Sequence, residues 1–235
     1  MILRRLSQSL KEQNWTAIWI EFILLVAGVY LGMQVSNWNQ AQKDSQSSRL
    51  IVENLYADYV VIEADGEDNK VKLNASLKAI DQTLQLLRKP QINNDSNLFL
   101  HELNQLFSIP TALQESATAQ ELKFSGRLGL IENDKLRALL VRNSALLAHA
   151  QYAQQSRREF VRPYNASLSR FRMLLIEGYP VQKAVELAGG KPDIQIGLQT
   201  SKTIYGAELD TLEQSLASLR LLRKKLYVQR TEGNK

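Results

Sequence analysis

The chain has 235 residues and a net charge of +5, with 44% hydrophobic, 23% charged and 7% aromatic residues. That length suits one core-forming domain or two small ones, and the ordinary apolar content excludes a wholly disordered chain. The absence of Cys excludes disulfides, thiolate zinc sites, iron–sulfur clusters and a Cys nucleophile, and two His far apart leave little material for a metal centre.

Residues 1–14 form a basic segment with Arg4, Arg5 and Lys11 against one acid, Glu12. Leu3, Leu6 and Leu10 share one helical face with the bases elsewhere, which suits a short helix lying on the inner leaflet. A disordered basic start that serves only topology fits the same residues.

Residues 16–35 read TAIWIEFILLVAGVYLGMQV. About 20 residues at ~1.5 Å rise give roughly 30 Å, the thickness of a bilayer's hydrocarbon core. Trp15 and Trp19 stand at one end and Trp38 at the other, so all three tryptophans lie in or beside the run. An amphipathic indole prefers the membrane–water interface, and Asn37 and Asn39 flank Trp38 where they can bridge headgroups or neighbouring helices. A secretory leader would carry a shorter apolar region and a small-x-small cleavage site. The run ends instead in Met33-Gln34-Val35-Ser36-Asn37-Trp38, so 15–38 is expected to be an uncleaved anchor. The bases before it, with none after it until Lys43, predict a cytoplasmic N-terminus and an extracytoplasmic domain over 39–235. The compact anchor suggests a bacterial inner membrane, with the bulk of the chain in the periplasm.

Two features mark one face of this helix. Glu21 is an acid among apolar neighbours, where a central acidic group costs roughly 2.5–3.5 kcal/mol. Gly28 and Gly32 are four apart, a spacing that lets two helix backbones approach closely. Glu21, Leu25, Gly28, Gly32 and Val35 form one stripe. It predicts contact with a second copy or with a membrane-protein partner.

Beyond the anchor, period-2 alternation is nearly absent and period-3.6 stripes are clear. Ile51, Leu55, Tyr59, Ile62, Gly66, Leu73, Leu77, Ile80, Leu84 and Leu87 keep phase in steps of three or four, with one step of seven. They predict one long helix over 43–89, kinked if anywhere at Gly66 and continuous with the anchor through residues 37–40. Pro90 and residues 93–96 make a turn. Ser96 or Asn97 caps a short helix over 98–107, and another short helix is expected over 111–124. Ser125-Gly126 breaks the chain, and Asn133 caps a long helix beginning with Asp134. That helix carries Leu136, Leu139, Leu140, Leu146, Leu147 and Ala150, and Pro163 kinks or restarts it. Leu168, Phe171, Leu174 and Leu175 continue to Gly178-Tyr179-Pro180. The stretch with Gly189, Gly190, Pro192 and Gly197 reads as a loop. A last helix over 203–229 carries Leu209, Leu212, Leu216, Leu219, Leu222 and Leu226. The predicted class is all-α: an N-terminal transmembrane helix continuing into an extracytoplasmic antiparallel helical bundle.

The catalytic and cofactor patterns are missing. His101 and His149 lack metal-ligand spacing and read as packing or surface residues. The acidic patch Glu63, Asp65, Glu67 and Asp68 does not fit a calcium loop and reads as a solvated face. Glu208 and Asp210 are close in sequence, but no pattern puts them in a cleft. The basic stretch from Arg220 to Arg230 suits a helix C-terminus or anionic headgroups. The small net charge and the outward topology argue against nucleic acid. No cofactor, metal or catalytic residue is expected.

The first 40 residues, through Leu10-Lys11-Glu12-Gln13-Asn14-Trp15, Glu21 and Gln34-Val35-Ser36-Asn37-Trp38-Asn39, resemble a family of uncharacterised bacterial single-pass membrane-anchored proteins. In that family a Glu sits early in the membrane helix, and Gln-x-x-Asn-Trp-Asn closes it. A second stretch is similar: Glu121-Leu122-Lys123-Phe124-Ser125-Gly126-Arg127-Leu128 and then Ile131-Glu132-Asn133-Asp134-Lys135-Leu136-Arg137. The resemblance covers the anchor and the middle of the chain to about residue 160. It implies an architecture and a location and carries no chemistry. The expected role is a structural or accessory interaction subunit; the alternative is a small-ligand sensor acting through a membrane partner.

Overall fold

A computed structural model describes residues 15–89, 95–107 and 110–232. The basic segment 1–14, with Arg4, Arg5 and Lys11, lies outside the described residues, as do residues 90–94 of the turn expected at Pro90 and 93–96. All regular structure among the described residues is helical. The chain divides into two units, Met1–Arg49 and Leu50–Lys235.

Helix α1, Trp15–Arg88, is 74 residues long and runs without interruption through the anchor segment, residues 37–40 and Gly66. In the first unit its side chains are exposed from Trp19 to Lys43. The local contacts there are within the helix: Gln34 Nε2 donates to the Tyr30 hydroxyl at 2.9 Å, and Trp19 meets Phe22 edge-on at 6.0 Å.

In the second unit the stripe of α1 is buried. Leu55, Tyr59 and Ile80 are fully enclosed, and Leu73, Leu84 and Leu87 nearly so. Each such side chain contributes about 1.5–3 kcal/mol by leaving water. The one step of seven in the stripe is filled by a polar residue, Asn69, also buried. Gly66 does not mark a chain break. A Cβ there would sit 2.5 Å from Leu216 Cδ2, so the glycine lets the last helix pack close.

Helix α2, Ser96–Leu106, is capped by Asp95, whose carboxylate accepts from Asn97 N at 3.0 Å and Leu98 N at 3.2 Å. The cap is thus one residue earlier than Ser96. The short helix expected over 111–124 is only α3, Ala117–Phe124. Residues 110–116 form an irregular strap instead, because side chains satisfy its backbone oxygens. Asn69 Nδ2 donates to Thr111 O at 2.9 Å, Gln151 Nε2 to Leu113 O at 2.8 Å, and Arg158 to Pro110 O. A buried carbonyl so paired has no need of a helix.

Gly126, at φ 69, turns the chain into a single 3₁₀ turn, Arg127–Leu130. Helix α4, Asp134–Val161, follows with Asn133 accepting from Leu136 N at 3.1 Å, as the sequence predicts. Helix α5, Ala166–Ile176, restarts the chain after Pro163.

The stretch read as a loop is mostly helical. Helix α6, Val181–Leu187, is followed by Gly189 and Gly190 at φ 109 and 89, a left-handed turn that favours glycine. Helix α7, Lys191–Glu232, then runs for 42 residues. Pro192 sits in its first turn, where a missing N–H leaves no hydrogen bond unmade. Gly197 is inside the helix because a Cβ would lie 2.6 Å from the Tyr164 carbonyl oxygen.

Two apolar clusters form the core of this unit. One joins α1, α2, α5, α6 and the start of α7 around Ile80, Phe99, Leu103, Phe171 and Leu198. The other joins α1, α3, α4 and the end of α7 around Leu55, Ile131, Leu140, Leu219 and Leu226. Ion pairs fix the register of α1 against α7: Glu53–Arg230 at 2.8 Å, Glu63–Arg223 at 2.5 Å, Lys70–Glu213 at 2.6 Å and Asp81–Lys202 at 2.6 Å. Numbers rise on one helix as they fall on the other, so the two run antiparallel.

Candidate functional site

The residues singled out in the anchor lie along the first turns of α1. Glu21, Leu25, Gly28 and Gly32 share a stripe, and all are exposed. A Cβ added at Gly28 or Gly32 would meet nothing within 4 Å. Trp19 is 60% and Trp38 67% exposed, with Asn37 and Asn39 exposed beside the latter. The two indoles are about 28 Å apart along an α-helix at 1.5 Å per residue, close to the hydrocarbon thickness of a bilayer. Trp15 opens the helix; its side chain lies outside the described residues. This is the single helix among the described residues long and apolar enough to cross a membrane.

The acidic patch and the basic C-terminal stretch, separate in sequence, explain each other. Glu63 and Glu67 take Arg220 and Arg223, and Arg230 lies over the Tyr56 ring at 5.2 Å while pairing with Glu53. The Arg220–Glu67 and Arg230–Glu53 pairs are largely open to solvent and contribute mainly register, while the Glu63 carboxylate is half-buried under Arg220 and Arg223. His101 and His149 are exposed. Among the described residues, no group of three or more His, Cys, Asp or Glu could hold a metal ion.

A polar layer crosses the second core cluster. Asp58 accepts from the Ser116 hydroxyl at 2.7 Å and from Thr118 N and Oγ1 at 3.2 and 2.9 Å. The carboxylate therefore closes the N-terminus of α3, where the helix dipole favours negative charge. The Tyr59 hydroxyl lies fully buried near Asn143 without a hydrogen bond of good geometry, and burial raises its pKa.

The feature that sequence reasoning missed is a small half-open cavity beside Glu208. It is framed by α1, the 110–116 strap, α4 and α7, with Leu73, Leu147 and Leu212 as apolar walls. Glu208 is 5% exposed, and neither carboxylate oxygen has a hydrogen-bond partner, whereas Asp210 faces solvent. Burial raises the Glu208 pKa above the usual carboxyl value, opposed by Arg158, Gln154 and Arg157 in that order. Gln154 stands near enough to favour the charged form, but its amide donates to Pro110 O at 3.4 Å. Next to it, burial and then the Glu208 charge push the Tyr205 hydroxyl up to about 12, with Arg158 opposing.

The clue was present in the sequence. Glu208 falls four residues before Leu212, on the apolar stripe of α7, as Asn69 does on α1 and Asn143 on α4. A polar residue at a stripe position is placed in the core by its helix and must be matched there.

The chain matches no protein-family model, no curated protein and no solved structure.

Proposed function

We propose that this is a single-pass membrane protein whose helical domain stands outside the cytoplasm and acts as an accessory interaction subunit. One observation carries the reading: an apolar helical run bracketed by Trp19 and Trp38, with every side chain from Trp19 to Lys43 exposed. Uncovered, that surface would be an aggregation liability, and a bilayer satisfies it along its whole length. The bases before the run favour a cytoplasmic N-terminus, and the resemblance of the first 40 residues favours a bacterial inner membrane and a periplasmic domain.

An antiparallel bundle presented from such an anchor is suited to holding a partner close to the membrane. The stripe of Glu21, Leu25, Gly28 and Gly32 is the proposed contact with a second copy or a partner helix. The test is topology. A reporter active only outside the cytoplasm, fused after residue 235, is expected to be active, and one fused before residue 1 silent. The reverse pattern would sink the reading.

A further inference from the structure

We propose that the cavity beside Glu208 is a binding site for a small primary ammonium group, either ammonium itself or the aminomethyl end of a short alkylamine. The site goes beyond the anchoring role and does not depend on it.

Asn69 gives one amide hydrogen to Thr111 O at 2.9 Å, and Gln154 gives one to Pro110 O at 3.4 Å. Thr211 donates to Ala207 O at 2.8 Å, and Ser215 donates to Thr211 O at 2.9 Å. The two hydroxyl donors are therefore committed to backbone carbonyls, and each amide keeps one N–H. The side-chain oxygens remain, above all the two of Glu208, enclosed and without partners. Such a lining suits an occupant that only donates, and an ammonium group has three or four N–H and no acceptor.

A buried carboxylate that is left unpaired is costly, and a cation placed against it removes that cost. The two nearby guanidinium groups favour the charged form through space but make no hydrogen bond to it. Arg157 is half-buried and directs an N–H at Thr211 Oγ1, 3.3 Å away; Arg158 is exposed and bonds Pro110 O. An anion would meet the Glu208 carboxylate.

The cavity has a volume of about 40 Å³. One water needs roughly 10–15 Å³, so the space holds a water-sized ammonium head and a carbon or two. Its half-open side leaves an exit for a short alkyl tail.

The experiment is a thermal-shift titration of the full-length protein in mild detergent at constant ionic strength. Methylammonium chloride and ammonium chloride are the probes. Tetramethylammonium chloride supplies the charge without N–H, and potassium chloride the charge without direction. Methylammonium or ammonium is expected to raise Tm saturably, while the two controls leave it unchanged. Glu208→Gln is expected to raise the half-saturating concentration at least tenfold. Should that variant fail to fold, Ser215→Ala, which removes one acceptor, is expected to weaken binding at least threefold. Equal responses to all four salts, no response to either probe, or an unchanged half-saturating concentration in a folded variant would overturn the assignment.

Discussion

Gly197 and Gly206 both lie inside α7, in opposite surroundings. A Cβ at Gly197 would press on the Tyr164 carbonyl oxygen at 2.6 Å and on Leu168 at 3.0 Å, while one at Gly206 would meet nothing within 4 Å. Gly197→Ala is therefore expected to destabilise the protein by about 1–3 kcal/mol, the overpacking outweighing roughly 1 kcal/mol of helix propensity. Gly206→Ala is expected to stabilise it by about 0.4–1 kcal/mol. Urea unfolding of the two variants decides; shifts of the same sign would refute the close approach of α5 and α7. Glu208 gives a pH prediction. Its folded-state pKa is raised, mainly by burial. Below the ordinary carboxyl value both folded and unfolded states hold the proton, and no penalty exists. As pH rises past that value the unfolded state releases it first, so stability falls until the folded carboxyl also titrates. Glu208→Gln removes this fall. The Tm of the variant relative to wild type is expected to climb as pH rises above the ordinary carboxyl value, about 4. Parallel Tm curves would count against the unpaired buried carboxylate.

Among the elements, α3 depends most visibly on a single distant side chain. Asp58 on α1 takes three hydrogen bonds from the first turn of α3 and its Ser116 cap. Asp58→Ala leaves those donors unmatched and is expected to cost about 1–3 kcal/mol. Amide exchange at Thr118 should accelerate more than at Leu140; uniform acceleration would mean that α3 is held by packing alone. Most helices were legible because their stripes and caps are local signals. Leu55, Tyr59, Ile62, Leu73, Leu216, Leu219 and Leu226 are buried as their spacing predicts. The Asn133 cap and the Ser125-Gly126 corner are equally local. Two readings went astray for a common reason, which is that tertiary contacts decide them. The 110–116 strap stays irregular because Asn69, Gln151 and Arg158 supply its hydrogen bonds from elsewhere in the chain. The start of α7 tolerates Pro192 and Gly197 because one lies in the first turn and the other faces a crossing helix. The cavity was illegible for the same reason: only the meeting of four segments makes it. Its one sequence trace, Glu208 on a leucine stripe, also fits an ordinary surface acid.

At the scale of the whole molecule, α1 is the element that relates sequence to the proposed role. Its residues from Leu50 onward bury a stripe in the domain core, and its apolar run from Trp19 to Val35 buries none. Gly28 and Gly32 leave open space on the face that carries Glu21. Replacing both by Ile is expected to abolish cross-linking through this face in native membranes while leaving the domain folded. Unchanged cross-linking would remove the stripe from the account. The central claim remains that the run crosses a bilayer, and alkaline carbonate extraction of membranes carrying the full-length protein tests it most directly. The account predicts that the protein stays in the membrane pellet through the wash. Release into the supernatant, with the protein still folded once neutralised, would show that the run is covered by protein and would contradict the anchor.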